Sequence, residues 1–263
     1  MNTAPATALI AAVLLGGCAS RQTKPDEAAR HGPFRPAMER PGVGTAWGEQ
    51  RESWVERAPF TRAGSGRPAT EDRLYYNDRE GVNAMLDYLG RESKRADGMQ
   101  LCAGGRLRMA LRNGNGEWLE CHESKGRRFA VGESGGRYEI VVKNESRRPV
   151  EAVVSMDGLD IIDGEAASLK KRGYLLAPFE SVAIEGFRTS SSSVAAFRFG
   201  SMFESYSHRR HGHATNAGVI GVAVFEEKRG APRGAAEPGA GAWRHVGARP
   251  APSGARHAVP PEA

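Results

Sequence analysis

The side chains best suited to chemistry form one short run of histidines, arginines and a tyrosine near residue 210. The run contains Tyr206, His208, Arg209, Arg210, His211 and His213. Closely spaced imidazoles can bind zinc or copper, but a closed metal site needs ligands that converge and are themselves held in place. The run has no cysteine, and its nearest carboxylate is Glu204. Whether it holds a metal therefore stays open.

A second interpretation treats the same six residues as a binding surface. They lie between two apolar stretches, and connections between strands run over the protein surface, where binding residues concentrate. Aromatic and arginine side chains often anchor interfaces, and imidazoles gain charge as the pH falls through their ordinary titration range. We expect a partner to bind here more tightly at lower pH. The alternative is a solvated loop that contacts no partner.

Three aspartates suggest calcium, but their spacing argues against it. Asp157, Asp160 and Asp163 are three residues apart, whereas the ligands of a calcium-binding loop are two residues apart and end with a bidentate glutamate. Asp157 and Asp163 each precede a glycine, and Asp-Gly is a common turn dipeptide. The spacing therefore predicts turns at these positions.

No motif in the sequence identifies an enzyme or a cofactor site. Residues 190–193 are serines without a nucleophile elbow, and neither a phosphate-binding loop nor a dinucleotide fingerprint occurs. We expect no cofactor and favour a non-catalytic binding or scaffold module. The alternative is an envelope hydrolase acting on peptidoglycan or glycan. A cleft lined by paired carboxylates or by residues 208–213 would favour the hydrolase, and a closed sandwich with polar residues only on loops would favour the module.

The first cysteine ends a sequence that resembles a bacterial lipobox. Residues 4–19 are uncharged and mostly small and apolar, and residues 15–18 read Leu-Gly-Gly-Cys. The resemblance implies cleavage after Gly17 and lipidation of Cys18, with acyl chains such as palmitate holding the protein to a membrane. No aspartate follows Cys18, which favours the outer membrane of the cell envelope. The alternative is an ordinary secretory signal cleaved near Ala19.

The other two cysteines, Cys102 and Cys121, form an even pair, and in an oxidising compartment we expect them to form a disulfide. If residues 113–116 are the turn of a simple hairpin, however, residue 102 faces residue 127. A bulge, or a loop that doubles back, would then be needed to bring the two sulfur atoms together.

The chain carries a formal net charge of +6, and its basic residues are interleaved with acidic ones. This interleaving is typical of a soluble protein surface. Outside the cytoplasm, an excess of basic residues suits an anionic envelope polymer or another envelope protein better than nucleic acid. The oligomeric state stays open.

Strand patterns dominate the part of the chain that must position these residues. From residue 99 onward, short alternating runs are separated by turns, the rhythm of an all-β sandwich or barrel. In residues 106–112, arginines alternate with apolar residues, which indicates a half-buried strand with an arginine face. Residues 216–225 are apolar on both faces, so we expect a central strand buried on both sides. We predict an antiparallel β-sandwich of about eight strands.

The flanking segments predict one helix and two disordered ends. The helix is expected to begin after Asn77, to end at Gly90 and to pack on the β domain. Trp47, Trp54 and Val55 are spaced for one helical face, so either a short amphipathic turn interrupts the tether or these residues dock onto the neighbouring domain. The expected organisation is a signal peptide (1–17), a disordered tether (18–70), a helical segment (71–98), a β-sandwich (99–228) and a disordered tail rich in Gly, Ala, Pro and Arg (229–263).

Four motifs in sequence order resemble a domain of bacterial secreted proteins and lipoproteins that has no assigned activity. They are DGLDIIDG (157–164), RGYLLAP (172–178), VAAFRF (194–199) and NAGVIGVAVF (216–225). The resemblance covers residues 100–228, and its last motif is the most specific part. It implies export and a domain boundary at Lys228, and it supplies no catalytic residue.

Overall fold

Strands dominate the computed structural model of the protein, which describes residues 42–64, 66–212, 216–230 and 241–246. The strands are β1 (Val43–Glu52), β2 (Val55–Ala58), β3 (Thr70–Asn77), β4 (Lys94–Arg95), β5 (Gln100–Cys102), β6 (Leu107–Asn113), β7 (Cys121–Ser124), β8 (Arg127–Val131), β9 (Arg137–Asn144), β10 (Val150–Met156), β11 (Leu159–Asp160), β12 (Tyr174–Leu176), β13 (Ser181–Ile184), β14 (Gly186–Arg188), β15 (Ser193–Ser201), β16 (Val219–Glu226) and β17 (Ala242–His245). The helices are α1 (Arg79–Tyr88) and α2 (Tyr206–His211). No helix in the described ranges combines the length and the apolar character needed to cross a membrane.

The strands form two β-sheets. The seven-stranded sheet has the order β1-β15-β9-β6-β5, with β13 paired to β9 and β14 to β15. The ten-stranded sheet has the order β2-β17-β12-β10-β16-β3-β8-β7-β4, with β11 paired to β10. The β3–β8 and β12–β17 pairs are parallel. The prediction of an all-β fold is confirmed. The prediction of about eight strands, all antiparallel, is wrong because the described residues include two parallel pairs and many more strands.

The inward faces of the two sheets share one hydrophobic core. The seven-stranded sheet contributes side chains from β6 and β9, and the ten-stranded sheet contributes side chains from β10 and β16. In β6 the buried residues are Leu107, Met109 and Leu111, and the arginines between them point the other way. The period-two pattern therefore identified this strand and its two faces correctly.

The outward face of the ten-stranded sheet is also buried. The central strand β16 places Val222 and Val224 in the main core and Phe225 in a second apolar cluster on its other side. The predicted central strand with two buried faces is confirmed. Phe60 and Ala242 belong to the second cluster, so segments near both ends of the described chain cover this face.

Strand pairing in the segments near both ends of the described chain contradicts the predicted tether and tail. β1 pairs with β15, β2 pairs with β17, and β17 also contacts β12. A disordered tether through residue 70 and a disordered tail from residue 229 are therefore wrong for residues 43–58 and 242–245. The helical turn expected around Trp47 and Val55 is wrong as well, since both residues lie in strands. The pairing partners are distant in sequence, so local composition could not indicate them.

Helix α1 begins one residue later than predicted. The Asp78 carboxylate accepts a hydrogen bond from the Gly81 backbone N–H at 2.7 Å and caps the helix. Asn77 remains in β3, where its side-chain oxygen accepts a hydrogen bond from the Val43 N–H at 2.9 Å. Gly90 follows the helix end with φ of +97°, a conformation that favours glycine.

The apolar side of α1 packs on the ten-stranded sheet, as the sequence predicts. Val82 and Leu86 are buried against Phe129 and Val131 of β8. β2 and β17 lie at one end of the strand order. Helix α1 covers the sheet near the other end, at β8.

Candidate functional site

The predicted histidine and arginine surface is a short helix, not an irregular loop. Ser205 caps α2 by accepting a hydrogen bond from the His208 N–H at 3.2 Å, and Gly212 follows the last turn. The first backbone N–H groups of a helix have no carbonyl partner within the helix. A serine hydroxyl at this position accepts a hydrogen bond from one of them.

Tyr206 does not belong to a binding surface. Its ring is buried, with centroids 4.5 Å from the Trp47 ring and 5.0 Å from the Phe187 ring. The prediction that it contacts a partner is therefore wrong: it attaches α2 to the core. An aromatic residue in an otherwise polar run is compatible with a contact to a partner and with a contact to the core, and only the fold distinguishes the two.

The other predicted residues of α2 point in several directions. His208 is half-buried with its ring centroid 5.0 Å from that of Phe203, and Arg210 forms an ion pair with Glu165 at 2.5 Å. Arg209 and His211 are exposed. His213 lies outside the described residues, as does Cys18. Within the described ranges, no group of three or more His, Cys, Asp or Glu side chains is placed to hold a metal ion.

A larger polar surface covers the outward side of the seven-stranded sheet, and we call it the charged face. It consists of Glu49, Arg51, Arg108, Arg112, Arg137, Glu139, Lys143, Glu145, Glu185 and Arg198. Cross-strand neighbours supply much of it, since Arg108 is opposite Lys143 and Arg112 is opposite Glu139. The arginine alternation in β6 indicated one row of this face, but the sequence did not show which strands lie beside it.

Two carboxylates of the charged face are each shared by two cations. Glu145 lies 3.0 Å from Arg108 Nε and 3.0 Å from Lys143 Nζ. Glu49 lies 2.7 Å from Arg198 Nε and 3.8 Å from Arg137 Nη1. One carboxylate compensates one positive charge, so each of these groups carries an excess positive charge.

Electrostatics at the two shared carboxylates agree with the geometry. The hydrogen bond from Lys143, followed by the charges of Lys143 and Arg108, lowers the pKa of Glu145. Burial by itself would raise the pKa of Glu49, but the hydrogen bond from Arg198 and the charges of Arg198 and Arg137 outweigh it, and the pKa falls. Both carboxylates are therefore ionised at neutral pH, and the excess positive charge persists there.

A cleft of about 350 Å³ opens in the charged face beside the turn at residues 113–116. Its charged lining residues are Arg51, Arg112, Arg137, Glu139 and Glu185. Arg112 contacts Glu139, and Arg51 Nη2 lies 3.1 Å from Glu185. The turn closes over Arg137, which donates a hydrogen bond to the Gly114 carbonyl at 2.7 Å. A Cβ atom at Gly114 would meet this guanidinium at 2.9 Å, so a larger residue there would displace the Arg137 side chain.

A second depression, of about 570 Å³, lies between α1 and the ten-stranded sheet. Its apolar lining includes Tyr75, Met85, Tyr88, Leu89 and Phe129. The Tyr75 and Phe129 rings stack at 5.4 Å, while Tyr88 is 89 % exposed. This groove is more apolar than the cleft, and its charged lining residues are Asp78, Glu80 and Arg127.

Asp157 connects the two sheets through a buried hydrogen-bond network. Its carboxylate accepts hydrogen bonds from the Tyr76 hydroxyl (2.6 Å), the Thr45 N–H (2.8 Å) and the Gly218 N–H (2.9 Å). The Thr45 hydroxyl also lies 2.5 Å from that of Tyr138. Burial raises the pKa of Asp157 to about 6, against the lowering effect of these hydrogen bonds.

The other two aspartates stabilise turns. Asp160 accepts a hydrogen bond from the Ile162 N–H at 2.9 Å, and Asp163 accepts one from Lys171 Nζ at 2.7 Å. The three aspartates do not converge on one point, as the turn interpretation of their spacing predicts.

Cys102 and Cys121 are buried free thiols, so the expected disulfide is not formed in the structure. Cys102 ends β5 in the seven-stranded sheet, and Cys121 begins β7 in the ten-stranded sheet. After the turn at residues 113–116 only an isolated bridge joins Arg112 to Trp118 before the chain crosses to the other sheet. Burial raises the pKa of each thiol to about 11, which keeps both protonated at neutral pH.

No protein-family model, no curated protein and no solved structure matches this chain.

Proposed function

We propose that this protein is a non-catalytic binding module of the bacterial cell envelope that binds an anionic envelope polymer through its charged face. The observation that carries the proposal is the sharing of Glu49 and Glu145, each by two cations, on one face of one sheet. An isolated surface ion pair has no net charge, so it attracts a charged partner only weakly. A shared carboxylate leaves a net positive charge at a fixed place.

The chemistry of the charged face suits binding by charge more than by shape. Its cations are half-buried and held by neighbouring carboxylates, so little side-chain entropy is lost when an anion binds. Guanidinium groups also offer several N–H donors to one carboxylate or phosphate. Such binding weakens as salt screens the charges.

The test removes the excess charge and keeps each carboxylate paired. The variant Lys143→Gln with Arg198→Gln leaves Arg108 beside Glu145 and Arg137 beside Glu49. At about 1 kcal/mol for each basic residue near an anionic surface, the loss in affinity for long poly-glutamate is about 30-fold at low salt. The measurement is fluorescence anisotropy of labelled poly-glutamate with the full chain, at low and at high ionic strength.

A matched control changes the net charge equally at exposed positions outside the charged face. The variant Lys170→Gln with Lys228→Gln serves this purpose, since both side chains are exposed. If this control loses as much affinity as the first variant, binding follows net charge and the charged face is not the site.

The residues of α2 are tested in the same assay. Replacement of the exposed residues Arg209 and His211 by alanine is expected to leave the melting temperature nearly unchanged, because exposed substitutions shift stability by about 0.5 kcal/mol or less. If this variant loses binding while the charged-face variant keeps it, the partner binds at α2, as the sequence alone suggested.

The cleft favours a second candidate function, an envelope hydrolase. Glu139 and Glu185 line the same cleft, and paired carboxylates can hydrolyse glycosidic bonds. Each of them, however, contacts a guanidinium group, Arg112 or Arg51, whereas glycosidases need one carboxyl that can donate a proton. Release of reducing ends from purified peptidoglycan that is lost in Glu139→Gln would establish the hydrolase.

The location in the envelope is part of the proposal, and the lipobox-like residues ending at Cys18 support it. We propose that acyl chains on Cys18 hold the protein at the outer membrane. The mass of the mature N-terminal peptide tests this directly. We expect the acyl mass in the wild type and mis-sorting of Cys18→Ala, and a mature peptide without acyl chains contradicts the proposal.

A further inference from the structure

The two shared carboxylates lie near opposite ends of one strand. β9 runs from Arg137 to Asn144, and its residues Arg137 and Lys143 each belong to one of the shared groups. We call Glu49 with Arg137 and Arg198 the first charge centre, and Glu145 with Arg108 and Lys143 the second. Lys143 lies six residue steps along β9 from Arg137, a distance of about 20 Å at about 3.3 Å per residue.

The surface between the two centres carries compensated charge. Arg112 and Glu139 form a one-to-one ion pair there, and the neighbouring outward residues Ala110 and Val141 are apolar and opposite each other. The excess positive charge is therefore located at two places and is not spread evenly along the strand.

We infer that the two charge centres form two subsites for one extended polyanion, a linear polymer whose negative charges span at least about 20 Å along β9. This inference rests on the proposed function, because it adds a length requirement to binding at the charged face. An anion shorter than this span occupies one centre at a time. A longer one occupies both, and the second contact forms at a high effective concentration.

The ligand chemistry is carboxylate or phosphate groups repeated along a flexible chain. Arginine at both centres accepts either group. A planar anionic bilayer also presents repeated charges, but a flat surface has no defined length. A dependence of affinity on chain length therefore distinguishes a polymer from a membrane surface.

The experiment compares the full chain with oligo-glutamate peptides of three and twelve residues. Their extended lengths are about 10 and 40 Å, below and above the separation of the centres. We expect the longer peptide to bind at least about tenfold more tightly per carboxylate, consistent with the gain from a second linked contact. Short and long inorganic polyphosphates form a parallel arm that separates phosphate from carboxylate preference.

Single substitutions at the centres show whether they act together. Lys143→Gln and Arg198→Gln each remove the excess charge of one centre, and each alone is expected to abolish the length dependence while changing affinity for the short peptide by about twofold. Lys170→Gln is the control, and it keeps the length dependence. Thermal melting of each variant verifies folding, and Arg108→Gln replaces Lys143→Gln if the latter unfolds.

The outcomes separate this inference from the proposed function. Equal affinity per carboxylate for both peptides overturns the two-subsite inference and leaves the proposed function intact. Absence of binding to long polyanions of either chemistry overturns both. Binding to anionic vesicles without binding to the long peptides assigns the charged face to a membrane surface and also overturns the inference.

Discussion

The two sheets share one core, but they treat their second faces differently. The seven-stranded sheet exposes its outward side as a layer of ion pairs. The ten-stranded sheet buries its outward side beneath Phe60, Ala242 and helix α1. A strand with one buried face can carry solvent-exposed charge on the other, whereas a strand covered on both sides carries a charge only where it is buried and paired. The surface available for a partner is therefore confined largely to the sheet that has no cover.

Ion pairs show the same difference on a smaller scale. On the charged face Arg112 and Glu139 remain partly exposed. On the covered side Glu151 is fully buried, and it lies 2.7 Å from Arg62 Nε and 3.1 Å from Arg172 Nε. The second contact is an ion pair without a hydrogen bond at Arg172 Nε. The same type of ion pair should therefore contribute very different free energies to stability on the charged face and on the covered side.

Removal of the buried carboxylate is expected to have the largest effect. Glu151→Ala leaves the Arg62 and Arg172 guanidinium groups without their shared carboxylate and removes the acceptor of the Gly173 N–H. Breaking a buried pair from one side costs about 3–5 kcal/mol. The free energy of unfolding from urea titration measures this. A loss below about 1 kcal/mol would place Glu151 among the surface ion pairs and break the comparison.

Phe60→Ala is expected to have the next largest effect, because it opens the cover of the ten-stranded sheet. The ring is buried in the second apolar cluster with Leu175 and Phe225, and truncation of a buried phenylalanine costs about 3 kcal/mol. Trp54→Ala, at an exposed position in the same part of the chain, is the control. Equal melting temperatures for the two variants would show that the cover does not stabilise the sheet.

Residues 43–60 show where sequence reasoning stops. The pattern of residues 219–225 required cover on both faces, and that requirement is confirmed. The segment that supplies the cover has Gly, Pro and Arg between its apolar residues, so composition indicated a tether. Its strands are defined by partners more than a hundred residues away, such as Ser201 opposite Val43. Alternation within a strand is local and was predictable, but pairing between distant strands was not.

The charged face shows the same limit for the candidate site. The arginines of β6 were identified from the sequence, whereas Glu49, Glu145 and Lys143 had no local signal that joined them. Tyr206 gave the opposite error, because its neighbours are polar and its contacts, Trp47 and Phe187, come from other strands.

The junction between the sheets is expected to make stability depend on pH. Burial raises the pKa of Asp157 to about 6 in the folded protein, above the ordinary value of about 3.9 in the unfolded chain. Asp157 then holds more protons in the folded state between these values, so its contribution to the free energy of unfolding is greatest below about pH 4 and falls as the pH rises toward 6. The slope that Asp157 contributes is at most about 1.4 kcal/mol per pH unit.

Urea titrations at several pH values measure this decline. Asp160 contributes in the same direction, since burial also raises its pKa to about 6. Asp157→Asn should therefore reduce the slope and not abolish it. If the difference in free energy of unfolding between the wild type and Asp157→Asn rises between pH 4 and 6, the hydrogen bonds to Asp157 outweigh its burial.

The smallest effect is expected where the comparison is sharpest, at the partly exposed pair of Arg112 and Glu139. The two side chains contact each other across β6 and β9 while remaining partly open to solvent, and exposed ion pairs contribute about 0.2–1 kcal/mol. Arg112→Ala, Glu139→Ala and the double variant form a double-mutant cycle whose coupling energy isolates the pair. Added salt should reduce this coupling, because the charges lie near water.

The corresponding coupling between Glu151 and Arg62 should be larger and respond less to salt. Equal couplings for the two pairs would mean that solvent reaches both faces alike, and the distinction between a charged face and a covered face would fail.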